Sequence, residues 1–196
     1  KGYKTDDIFI AAKSAMAQHR VLAQIKTSLT FSSDNQEFKE VVGRFWIDYN
    51  NANLFNKDND RLFIIKSGLN NIERNHIKVL LNWAKTKSSA DLFIKQVSQI
   101  DVKKAKLEMF RSVIASCNNG QSVSDQEIWG FFKCVELLEY DFNNVGSKDE
   151  AGFLNLIKLS KQNATQATER EICSSITALT ATYNSNGGSI SAESIH

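Results

Sequence analysis

Apolar residues recur every third or fourth position along most of this chain. Over 6–29 they are Ile8, Ala11, Ala15, Leu22, Ile25 and Leu29, behind Thr5-Asp6-Asp7, whose acids suit a helix start better than a metal site. Over 34–54 they are Phe38, Val41, Val42, Phe45, Tyr49 and Ala52, entered through Ser33-Asp34 with Glu37 following. The spacing continues over 60–86 with Leu62, Ile65, Leu69, Ile72, His76, Leu80 and Trp83, and Gly68 is a potential break. Residues 89–117 carry Phe93, Val97, Ile100, Leu107, Phe110, Ile114 and Cys117 up to an Asn-Asn-Gly stop, with Asp101 a second potential break.

The stretch 124–142 is the richest in aromatic residues. Ser124 and Glu127 form a capping-box pattern, in which hydroxyl and carboxylate satisfy free N–H groups at a helix start. At helical spacing Ile128, Phe131, Phe132, Val135, Leu138 and Phe142 share one arc, which predicts a core face. Trp129, Lys133 and Tyr140 share a flank, a candidate partner-binding surface. Glu139 projects into the apolar arc, where a carboxylate must pair or reach solvent. Further boxes start at Ser147 and Thr168, and 184–196 reads as a flexible tail.

No strand alternation of useful length is apparent, and no internal repeat. The expected fold is therefore all-α: an antiparallel bundle of six or seven helices, one domain over 1–183, with Trp83 and the Phe131–Phe142 arc in its core. Composition agrees, since 42% hydrophobic and 23% charged residues suit a globular chain. The absence of proline permits long helices.

Charge refines the picture. The net charge of +2 is too small to suggest wholesale nucleic-acid binding, but it is unevenly spread. Residues 60–115 hold eleven lysines and arginines against five acids, and residues 116–196 hold five against ten. Arg74, Lys78 and Lys85 share a face of one expected helix, and Lys95, Lys103 and Lys106 a face of the next, a candidate anion-binding stripe.

Catalytic patterns fail one by one. Asn56-Lys57-Asp58-Asn59-Asp60 resembles the start of a calcium loop but has Arg61 and Ser67 where glycine and glutamate are required. Glu73-Arg74-Asn75-His76 is a single Glu-x-x-His, whereas di-iron bundles need two. No glycine-rich phosphate loop, G-x-S-x-G or H-E-x-x-H occurs. Cys117, Cys134 and Cys173 form no C-x-x-C pair, and their odd number suits a reducing compartment.

These readings predict no cofactor, no metal and no transmembrane segment. The expected location is the cytoplasm, or a host cytosol if the chain is a secreted effector. The function they favour is a non-catalytic module that binds another protein, adaptor- or effector-like. The alternatives are a binder of anionic ligands (phosphoinositide headgroup or nucleic acid) through the lysine stripe, and an enzyme whose site is assembled from scattered residues. A site gathering Glu139, His76 or a cysteine would favour a hydrolase or transferase.

Overall fold

The computed structural model describes residues 2–5, 8–13, 18–140, 146–160, 168–175 and 178. They divide into two compact units, Lys1–Tyr140 and Asp141–His196. Neither the tail at 184–196 nor Asp6 and Asp7 lie among the described residues.

The first unit is a mixed α/β structure, which corrects the expectation of an all-α bundle. The expected helix over 6–29 is instead two strands, β1 (Ile8–Lys13) and β2 (Gln18–Lys26). Then follow α1 (Gln36–Asn50) and β3 (Arg61–Lys66). A π-helical turn, Glu73–Ile77, leads into α2 (Lys78–Thr86). Next come α3 (Ala90–Ser98), α4 (Asp101–Cys117), α5 (Asp125–Cys134) and β4 (Val135–Glu139).

The four strands lie in the order β1-β2-β3-β4. β1 is antiparallel to β2, with Ile8 opposite Ala23, whereas β2, β3 and β4 are parallel. A parallel pair needs a crossover between its strands. α1 supplies the first, between β2 and β3, and α2–α5 supply the second, between β3 and β4.

Local chemistry sets the boundaries. Asn35 caps α1, its side chain accepting from Phe38 N–H at 2.7 Å. After α1, Asp60 is fully buried and ties the next turn down: its carboxylate accepts from Asn56 N–H at 2.8 Å and from Arg20 N–H at 2.9 Å. The calcium-like segment is thus a polar turn that anchors the start of β3 to β2. Gly68 adopts φ +93°, a conformation that suits glycine, and ends the β3 segment. Chain direction also changes between α3 and α4, where Asp101 opens the new helix. At α5 both halves of the Ser124–Glu127 box are formed.

Aromatic rings join the helices into one core. Phe38 of α1 meets Phe110 of α4 edge-on at 5.2 Å, and Phe110 meets Phe132 of α5 at 4.9 Å. Phe131 sits edge-on to Trp46 at 5.3 Å and to Tyr49 at 5.4 Å, both from α1. Leu22, Leu62, Ile64, Val135 and Leu137 bring the sheet into the same cluster. Trp83 packs against that cluster, only partly buried.

In the second unit α6 (Lys148–Ser160) starts at Ser147, whose hydroxyl accepts from Glu150 N–H at 3.1 Å. A helical run over 169–175 follows a reciprocal Thr168–Glu171 cap. Arg170 pairs with Glu150 at 2.7 Å. Among the described residues no helix is long and apolar enough to cross a membrane.

Candidate functional site

Strand register builds the most polar feature of the first unit. Leu22, Leu62 and Val135 form one row across β2, β3 and β4. The next row toward the carboxyl ends is Gln24, Ile64 and Leu137, and the last is Lys26, Lys66 and Glu139. Side chains two apart on a strand share a face, so the rows lie on the same side of the sheet. That face turns from wholly apolar to wholly charged within two steps.

Gln24 is 2% exposed, an amide at a position where an open α/β sheet ordinarily carries valine or isoleucine. A buried polar side chain carries more information than an exposed apolar one. Lys26 Nζ lies 3.2 Å from Glu37 Oε1 in the first turn of α1. Lys66 Nζ lies 2.7 Å from both carboxylate oxygens of Glu73, and the two residues are 9% and 2% exposed. Glu73 also accepts from Asn70 N–H at 2.9 Å, while its own N–H donates to Asn70 Oδ1 at 2.9 Å. The buried pair is therefore well satisfied, the condition under which buried ions are tolerated.

Glu139 closes the row from β4. Its Oε1 accepts from Leu69 N–H at 2.9 Å and from the Arg74 guanidinium. These two hydrogen bonds, Arg74's first, hold its carboxyl below the usual carboxylate range, and Lys78 adds to the effect. Tyr140 follows, its N–H bonded to Lys66 O at 2.9 Å and its side chain 43% exposed.

The other residues singled out from the sequence land in different places. The flank of Trp129, Lys133 and Tyr140 depends on a helix that ends at Cys134, where the chain straightens into β4. Trp129 is buried, its indole N–H donating to Ala84 O at 2.8 Å, and Lys133 Nζ lies over its ring at 3.9 Å. Tyr140 lies instead at the end of the sheet. The lysine stripe is likewise divided. Arg74 and Lys78 stand beside Glu139, and Lys85 pairs with Glu136. Lys95 is exposed on α3, whereas Lys103 is buried with Nζ 5.0 Å from the Trp83 ring centre. Lys106 Nζ reaches Phe31 O at 3.5 Å.

Compared with known protein families, with curated proteins and with solved structures, the chain matches none. The site must therefore be read from its own chemistry.

Sequence reasoning passed over Gln24, Lys26 and Lys66, and weighed Glu73 only as part of a Glu-x-x-His motif. One signal was present: "VLAQIK" and "RLFIIK" are two short apolar runs, each ending in lysine. Among the described residues no group of three His, Cys, Asp or Glu side chains is placed to hold a metal ion. His76 is half-buried on the π-helical turn, away from any such group. The row offers instead ammonium and guanidinium groups, a buried amide and two hydrogen-bonded carboxylates. Those groups suit a phosphate ester: cations for its charge, oxygens for a hydrated divalent cation beside it.

Proposed function

We propose that the carboxyl edge of β2–β4 engages the phosphate backbone of nucleic acid and hydrolyses it. The observation that carries this reading is the in-register row Lys26–Lys66–Glu139, with buried Gln24 one step behind it. Open α/β sheets bind ligands outside the carboxyl ends of their strands. Lys26, Arg74, Lys78 and Tyr140 all reach solvent there, which favours an extended polyanion over a small enclosed substrate. Tyr140 also supplies an exposed ring on which a base can stack. The module reading has two surfaces, the basic patch and the Trp129, Lys133 and Tyr140 flank, and of the flank Tyr140 alone is exposed.

Recessed polar groups favour chemistry over passive binding. Gln24 is buried beneath the lysines with a partner of its own, a fixed polar support of the kind a reacting site needs. In the proposed reaction water adds to phosphorus while the bridging P–O bond breaks, and the departing ester oxygen takes up a proton. Lys26 stabilises the charge that develops on the phosphoryl oxygens. A divalent cation, if the reaction uses one, would be held chiefly by the oxygens of the substrate and by water, the kind of mixed shell that magnesium keeps.

The test incubates the full chain with single- and double-stranded DNA and RNA, with and without magnesium, at low and high salt. Binding should weaken steeply as salt rises, as for any contact that releases counterions from phosphates. Cleavage should require the cation, disappear in Lys26→Ala, and fall strongly in Gln24→Leu. Failure of every nucleic acid to bind, or binding indifferent to Lys26→Ala, sinks the proposal. Salt-sensitive binding without cleavage would leave the edge as a binding surface and remove the hydrolase.

A further inference from the structure

The cations at this edge are each met by a carboxylate, Lys26 by Glu37, Lys66 by Glu73 and Arg74 by Glu139, and the last two pairs differ in burial. Glu73 is buried, accepts two hydrogen bonds from Lys66, and is fixed further by Asn70. Glu139 is not buried, and its side chain keeps 30% of its surface in solvent. The groups that act on Glu139 are a backbone N–H from Leu69, the guanidinium of Arg74 and, one turn after Arg74 along the helix, the charge of Lys78. A backbone N–H beside a guanidinium and an ammonium is a donor set suited to a phosphate group. Beside that N–H the surface has room, since a Cβ built on the preceding Gly68 would meet nothing within 4 Å.

We propose that Leu69 N–H, Arg74 and Lys78 form a phosphate subsite, and that the Glu139 carboxylate occupies it as a built-in competitor until a substrate phosphate displaces it. The inference rests on the reading of this edge as phosphate-binding. It adds a second phosphate contact on the β4 side of Lys26 and Lys66, and it makes affinity depend on a residue that carries the wrong charge for binding. Arg74 exchanges one oxyanion for another, so substrate entry breaks an ion pair as it makes one. A partly exposed pair of this kind is worth less than about 1 kcal/mol, small enough for a polyanion to break.

The experiment measures binding of a fluorescein-labelled 20-nucleotide single-stranded DNA to the full chain and to Glu139→Gln, Arg74→Ala, the double variant and Lys26→Ala. Glutamine retains an oxygen for Leu69 N–H, and far-ultraviolet circular dichroism with thermal unfolding checks that each variant is folded. Glu139→Gln should bind about two- to five-fold more tightly, the equivalent of one exposed ion pair. Its affinity should also fall more steeply with salt, because one more cation is free to meet a phosphate. Arg74→Ala should abolish the gain in the double variant. An equal gain with and without Arg74 would mean that only net charge had changed, and would overturn the subsite. So would Glu139→Gln binding no more tightly while Lys26→Ala still weakens binding. Binding indifferent to Lys26→Ala would instead defeat the underlying reading of the edge.

Discussion

Gly130 of α5 lies so close to Tyr49 of α1 that a Cβ at residue 130 would stand 2.6 Å from the tyrosine hydroxyl oxygen. The ring cannot move away readily. It is buried, stacked on Trp46 at 5.7 Å and met edge-on by Phe131. Gly130→Ala should therefore destabilise the first unit by about 1–3 kcal/mol, the usual cost of overpacking. Tyr49→Phe removes the clashing oxygen, so Gly130→Ala/Tyr49→Phe should be more stable than Gly130→Ala alone. Urea unfolding of the four proteins checks this; additive losses would contradict it.

The Lys66–Glu73 pair makes a second prediction. Lys66→Met leaves a buried carboxylate without its cation, and should cost about 3–5 kcal/mol. Lys66→Met/Glu73→Gln keeps an acceptor for Asn70 N–H and removes the stranded charge. It should recover most of the loss in the same unfolding assay, even though two native residues are gone.

In the first unit acid should act through two carboxylates. Glu127 is held below its usual value of 4.5 mainly by the Ser124 hydroxyl and N–H, and Glu139 by Arg74 and Leu69 N–H. A carboxylate with a depressed folded pKa contributes stability above its unfolded value and loses it as pH falls through the folded one. Stability should thus begin to fall below about pH 4.5 in the wild type. Glu127→Gln should be less stable at pH 6 and show a shallower acid decline. Denaturant midpoints measured from pH 6 to pH 3 test both statements.

The thiols of the first unit should separate by reactivity. Cys117 is exposed, whereas Cys134 is buried with Sγ 3.3 Å from Lys57 O, and burial pushes its thiol pKa up. Thiolate is the reactive form. A brief alkylation at neutral pH, mapped by mass spectrometry, should mark Cys117 and spare Cys134 until denaturant is added. Equal labelling of the two in the native protein would mean that the start of β4 opens easily.

Helices declared themselves in the sequence where their signals were local. The apolar spacing of Phe38, Val41, Val42, Phe45 and Tyr49 became the buried side of α1, and Ser124 with Glu127 became a formed capping box. Strands were hidden by the residues that make the candidate site. Alternation along β2 would show as apolar residues at 22, 24 and 26, but two of those positions hold Gln24 and Lys26. β3 is apolar on both faces except at its two ends, and a short continuous run has no period to read. β4 was concealed differently: Val135 and Leu138 happen to continue the helical spacing of α5, so the switch after Cys134 left no mark. With the strands unseen, Lys26, Lys66 and Glu139 had nothing to bring them together.

The parallel pairing of β3 with β4 fixes an order of events during synthesis. Residues 67–134 separate these strands, about twice the length between β2 and β3, and each doubling adds only about 0.6 kcal/mol to the cost of closure. The penalty is thus slight, yet β4 is the last of the four described strands to leave the ribosome. Until it arrives, β3 has an unpaired border of N–H and C=O groups beside Phe63, Ile64 and Ile65, a template for association with a neighbouring chain. A polypeptide released before Val135 should accordingly aggregate, while one that extends through Tyr140 has the strand that seals this border.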